Sequence, residues 1–187
     1  MARPAPDRHD VAQQDQPLHH VMVVGGTVAE WGELDDARWR ERIEVLGSLA
    51  ATAGARWLTL RPFERGEGAD AARPVHHEVV ELHGCSVIVD PVPDGRERLV
   101  VTLRKLAESD QLSEPAVAAA LLSPATTEPD LVLVLGSPDR LPTSLVWELA
   151  YAELVYVPVA WADLRPEHLA DAVEAYRHRH RRFGGLD

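Results

Sequence analysis

One alternation confines this chain more than any other feature. Short apolar runs, each cut off by glycine, proline or charge, are followed by stretches whose apolar residues recur at three- and four-residue steps. His20-Val21-Met22-Val23-Val24 ends at Gly25-Gly26 and reads as a buried strand entering a tight loop. A helix follows from Asp35, with Trp39, Ile43, Leu46, Leu49 and Ala53 on one face and Gly54 as its stop. Trp57-Leu58-Thr59-Leu60 is the next strand, so the opening is a parallel strand–helix–strand unit.

The rest continues in the same way. Residues 61–74 read as a loop and 74–82 as a short amphipathic piece. Residues 86–89 form a strand, and 96–108 a helix carrying Leu99, Leu103 and Leu106. A short helix is expected at 115–122. The unbroken apolar run 131–135 reads as a strand in the middle of the sheet. A helix is expected over 143–154, with Trp147, Ala150, Tyr151 and Leu154 on a core or interface side. A strand over 155–159 must end at Pro158 or lie at an edge, because proline has no N–H to donate. The last helix is placed at 165–181. The expected fold is α/β, a mostly parallel central sheet flanked by helices, formed by residues 18–187 behind a disordered tail of residues 1–17.

Composition excludes several function classes. A net charge of −11 argues against a nucleic-acid partner, which needs a basic face. Arg177, Arg179, Arg181 and Arg182 nevertheless cluster near the C-terminus, as a local anion site on an acidic body would require. Cys85 is the only cysteine, so neither an internal disulfide nor a cysteine-based zinc site is expected. His76, His77 and His83 match no zinc spacing, and no metal is assigned to this chain. With no apolar run of membrane-spanning length and no signal-peptide core, a cytoplasmic location is expected, with peripheral membrane contact left open. Gly25-Gly26 does not begin a dinucleotide loop, because Val28 and Glu30 stand where further glycines are needed.

Pro129-Asp130-Leu131-Val132-Leu133-Val134 through Arg140, followed by Leu145-Val146-Trp147-Glu148-Leu149-Ala150-Tyr151-Ala152-Glu153-Leu154, resembles the second half of a cis-prenyltransferase of the undecaprenyl-diphosphate-synthase kind. Trp161-Ala162-Asp163-Leu164 and Arg181-Arg182-Phe183-Gly184-Gly185 match that family's W-P-D-F and closing R-R-F-G-G. His20 to Val24, Trp31, Leu58-Thr59-Leu60 and Gly95-Arg96 follow it upstream. The resemblance implies the family's α/β fold, shortened between Leu60 and Val87, where full-length synthases carry a long helix lining the product tunnel. It also implies prenyl diphosphates as ligands.

The departures fall on the chemistry. Where the family reads M-D-G-N-x-R-W, this chain reads Gly25-Gly26-Thr27-Val28-Ala29-Glu30-Trp31. The aspartate that holds magnesium on the allylic diphosphate falls at Gly26, and the arginine that grips that diphosphate falls at Glu30. Val134 and Pro142 replace an arginine and a serine further on. Ionising an allylic diphosphate needs magnesium and arginine to meet its developing negative charge. The pattern resembles the Nogo-B-receptor-like subunits, which lose the aspartate, keep the terminal R-x-G and pair with a catalytic synthase.

The resemblance therefore implies an accessory subunit with no catalytic residue of its own. Arg140, Arg182 and Gly184 would contact diphosphate, while Glu153 and Phe183 would support the partner's site. Magnesium would be held mainly by that partner. An arginine and a glycine two residues later can offer a guanidinium fork and an open backbone N–H. Arg182 and Gly184 also fit a helix end with cations at its negative pole and a glycine cap. Arg140 fits a surface ion pair equally well, and Glu153 a cap or interface contact. Two alternatives stay open: a self-sufficient divergent transferase or cyclase working as a homodimer, and a catalytically dead protein that binds prenyl diphosphates.

Overall fold

The computed structural model describes residues 17–70 and 72–178. The chain forms β1 (His20–Val24), α1 (Val28–Gly32), α2 (Asp36–Thr52), β2 (Trp57–Arg61), β3 (Glu78–Leu82), β4 (Cys85–Val89), α3 (Gly95–Glu108), α4 (Glu114–Leu122), β5 (Leu131–Leu135), β6 (Glu153–Val157) and α5 (Pro166–His178). The strands make one six-stranded sheet in the order β3-β4-β2-β1-β5-β6. All neighbours are parallel except β3, which returns antiparallel along β4. The mostly parallel α/β architecture is the one the alternating pattern demands.

Helix starts are fixed locally. The Asp35 carboxylate accepts the Ala37 and Arg38 N–H groups at 3.0 and 2.9 Å, and Asp94 and Ser113 cap α3 and α4 in the same way. Gly54 has φ of +91° and lets the chain leave α2.

Side-chain alternation divides the sheet. Val21, Val23, Leu58, Leu60, Leu131 and Leu133 face α2 and α5 in the main core. There Trp31 stacks on Trp161 with ring centroids 5.1 Å apart, and Trp39 lies 5.2 Å from Trp31. Met22, Val24, Val132 and Val134 face the other way, with Phe63 and Leu145. His20 is on this second side. Its Nδ1 donates to the Thr127 carbonyl at 2.7 Å, so its Nε2 accepts from the Thr59 hydroxyl at 2.9 Å. Burial pulls the His20 pKa down to about 4.

Two expectations are corrected. Residues 78–82 of the amphipathic piece are an edge strand, turned into β4 by His83 and Gly84, both at positive φ. Residues 143–154 are not a helix: a single 3-10 turn covers Glu148–Ala150, and β6 begins at Glu153. Tertiary bonds outbid helical ones there. Thr143 N–H donates to the Phe63 carbonyl at 3.0 Å, its carbonyl accepts from Gly95 N–H, and the Glu148 carboxylate is drawn inward by two arginines. Consequently Trp147, Ala150, Tyr151 and Leu154 share no helical face, and Tyr151 is 74% exposed. β6 does end before Pro158 and does lie at the sheet edge.

Candidate functional site

In this strand order the connections run outward in opposite directions from β1 and β5, which opens a crevice at their C-terminal ends. It has a volume of about 210 Å³. Loops after four strands line it: Gly26 and Thr27 after β1, Phe63 and Glu64 after β2, Ser137 and Arg140 after β5, and Trp161 after β6.

The loop after β1 is closed upon itself. Gly26 has φ of +69°, and a Cβ there would lie 2.8 Å from both Cβ and Cγ of Trp161. Its carbonyl accepts from Phe63 N–H at 2.7 Å, while the Gly25 carbonyl accepts from Trp31 Nε1 at 2.9 Å. Thr27 then caps α1 in a reciprocal box. Glu30 N–H donates to Thr27 Oγ1 at 3.1 Å, and Thr27 N–H donates to Glu30 Oε2 at 2.7 Å. The carboxylate at position 30 is thus engaged with the backbone at the mouth of the crevice.

Arg140 lines this crevice. Its guanidinium donates to Glu64 Oε2 at 2.7 Å and lies 5.3 Å from the Phe63 ring centroid. With a side chain 63% exposed, it remains accessible to a ligand. Glu153 lies at the other end of the sheet, beside Leu131 at the start of β6, so it is not brought together with Arg140. Arg182, Phe183 and Gly184 lie outside the described residues.

The donors around the crevice do not fit magnesium. Gly26 leaves no space for a side chain, Glu30 is committed to its cap, and Glu64 is paired with Arg140. Among the described residues no three acidic, histidine or cysteine side chains converge on a metal position. Glu30 and Glu64 against Arg140 also leave the mouth net negative, which weakens its attraction for an anion.

Beneath Phe63, on the second side of the sheet, is a cluster that the sequence reading did not find. Arg61 closes β2 with a side chain 3% exposed and donates to Asp90 Oδ2 at 2.7 Å and to Glu148 Oε1 at 2.6 Å. Arg98 of α3 donates to the same Glu148 oxygen at 2.5 Å and to Asp90 Oδ2 at 3.4 Å. Burial alone would raise the Glu148 pKa, but Arg61 and Arg98 override it and hold the carboxyl at about 2. Burial lowers Arg61 as well, and there Asp90 and Glu148 outweigh it, so its pKa is raised. Arg98 is pulled down by burial and by Arg61. The available signal was a charge inside an apolar stretch: Arg61 ends an apolar strand in phase with Thr59, and Glu148 sits within Trp147-Glu148-Leu149-Ala150.

Comparison with known proteins agrees with this architecture. A family model described as "Putative undecaprenyl diphosphate synthase" matches residues 84–184. An isoprenyl transferase of Chlamydia caviae is 35% identical over 98 residues, covering 48% of this chain and 39% of that protein. An isoprenyl transferase of Brucella abortus is 31% identical over 136 residues, covering 66% and 54%. The chain therefore spans little more than half the length of these relatives at most. The crystal structure of lavandulyl diphosphate synthase from Lavandula x intermedia, in complex with dimethylallyl diphosphate, superposes with a TM-score of 0.62 at 18% identity, covering 90% of this chain and 99% of that one. That likeness establishes a shared fold.

Proposed function

The chain belongs to the undecaprenyl diphosphate synthase family of prenyltransferases, and from that premise we propose that it is the accessory subunit of a heteromeric cis-prenyltransferase. A catalytic partner binds magnesium and condenses isopentenyl diphosphate with an allylic diphosphate. This chain contributes diphosphate contacts through Arg140, Arg182 and Gly184, with Phe183 and Glu153 supporting the partner's site.

The observation that carries this reading is the loop after β1. Gly26 is packed under Trp161 and Glu30 is consumed in a helix cap, so the segment that should ionise a substrate has become a structural turn. Ionisation requires preorganised positive charge at the leaving diphosphate, and this loop offers a carboxylate. A neutral turn with a free anion site would have argued for a self-sufficient enzyme.

The test is transfer of labelled isopentenyl units to farnesyl or geranyl diphosphate with magnesium, for this protein alone and mixed with a synthase of the same family. Activity in the mixture above that of the synthase alone supports the accessory role, and Arg182→Ala should remove the gain without preventing assembly. Turnover by this chain alone refutes it. Prenyl diphosphate binding without turnover in any mixture would make it a binding protein.

A further inference from the structure

The second side of the sheet determines how large a ligand the crevice can take. A prenyl diphosphate whose head lies at Arg140 must send its tail out to solvent or into one of two interior layers. The first layer, beneath α2 and α5, is filled by the stacked Trp31, Trp39 and Trp161. The second, on the opposite face of the sheet, is crossed at the C-terminal ends of β2 and β4 by the Arg61–Asp90–Arg98–Glu148 network.

We propose that this buried ion network seals the interior against a prenyl tail, so that the chain's own crevice accepts only a short prenyl diphosphate such as the dimethylallyl or isopentenyl compound. The inference rests on the reading of the crevice as a prenyl diphosphate site.

Three observations carry it. The crevice holds about 210 Å³, below the roughly 300–1,000 Å³ of a typical small-molecule site. The void beside Arg61 and Asp90, lined also by His20, Thr59 and Leu121, is about 20 Å³, which is room for about one water. Finally, Arg61 and Asp90 belong to sheet strands and their ends, Arg98 to α3 and Glu148 to the 3-10 turn, so the network ties three elements together. Drawing Arg98 away from Glu148 and Asp90 to admit a tail would strand buried charges without their partners.

A buried tail would reveal itself in affinity. Each buried carbon strengthens binding about fourfold, so the ten additional carbons of farnesyl over dimethylallyl diphosphate would gain well over a thousandfold. Calorimetric titration of the full chain with the two diphosphates should instead give affinities within about tenfold of each other. A farnesyl preference above about a hundredfold, or saturable one-to-one uptake of farnesol, overturns the proposal. If neither diphosphate binds, the reading of the crevice as a prenyl diphosphate site fails while the accessory role is still judged by activity in the mixture, and the farnesol titration alone then decides whether the layer is sealed. Arg98→Ala/Glu148→Ala removes one charge of each sign and opens the layer, and a tail-length preference should appear in it. A folded double variant that still shows no preference overturns the assignment of the seal to this network.

Discussion

Gly26→Asp would return a carboxylate to the position where the family pattern carries its magnesium-holding aspartate. In this chain the backbone and its neighbours reject any side chain there. At φ of +69° the residue is left-handed, a conformation costing a non-glycine residue about 1–3 kcal/mol, with aspartate toward the lower end. The new Cβ would also fall 2.8 Å from Cβ and Cγ of Trp161 and 3.1 Å from Nε1 of Trp31. Trp161 cannot step aside: it is 2% exposed, stacked on Trp31, and has the Arg42 guanidinium 4.5 Å from its ring centroid. Overpacking of this kind costs about 1–3 kcal/mol. Together the penalties come to about 2–6 kcal/mol, a large part of the 5–15 kcal/mol that holds a typical domain folded. Urea unfolding followed by tryptophan fluorescence should show a midpoint lowered by roughly 1–3 M. Gly26→Ala should lose most of the same amount, since the clash begins at Cβ. No magnesium-dependent prenyl transfer should appear in either variant. A Gly26→Asp protein with an unchanged midpoint, or one that gains turnover, would show that the loop can reopen and that the reasoning is wrong.

Three further outcomes follow from named contacts. The folded-state pKa of His20 is about 4 against an ordinary value of 6.5, so the unfolded chain takes up a proton first as pH falls. Stability should drop between pH 6.5 and 4 by about 3 kcal/mol, read as a falling urea midpoint, and the loss should be absent in His20→Gln. Glu148 has a depressed pKa, so its contribution is intact above pH 4.5 and declines toward pH 2. Glu148→Ala leaves Arg61 and Arg98 facing each other in a buried layer and should cost about 3–5 kcal/mol, whereas Arg98→Met/Glu148→Leu, which keeps the charge balanced, should cost much less. Glu30→Gln retains an acceptor for Thr27 N–H and should leave stability within about 0.5 kcal/mol. By removing a negative charge at the crevice mouth it should tighten binding of inorganic pyrophosphate severalfold, measured calorimetrically; unchanged affinity would place Glu30 outside the anion's reach.

Much of the fold was legible because local signals and tertiary packing agree over β1, α2, β2 and β5. The apolar strands are continuous, and Asp35 and Gly54 bound α2 by caps that need no distant partner. Over 143–154 they disagree. Helical spacing of Trp147, Ala150, Tyr151 and Leu154 gave way to long-range bonds from Phe63, Gly95, Arg61 and Arg98. No local pattern contains those partners: Glu148's two arginines lie 50 and 87 positions away and meet it only as the chain closes its sheet.

The site divides in the same way. Residue identity alone reveals the family and the loss of an aspartate and an arginine at Gly26 and Glu30, because each is a statement about one place in a pattern. What those substitutions mean depends on the folded chain. Trp161, in the turn after the sheet's last strand, presses against Gly26, and the Thr27 backbone claims Glu30. Arg61 and Asp90 reach one buried layer because parallel β2 and β4 are paired in register, and α3 and the turn before β6 bring Arg98 and Glu148 to meet them. Charge pairing in a dry interior depends on distance and desolvation, and neither exists until the chain has folded.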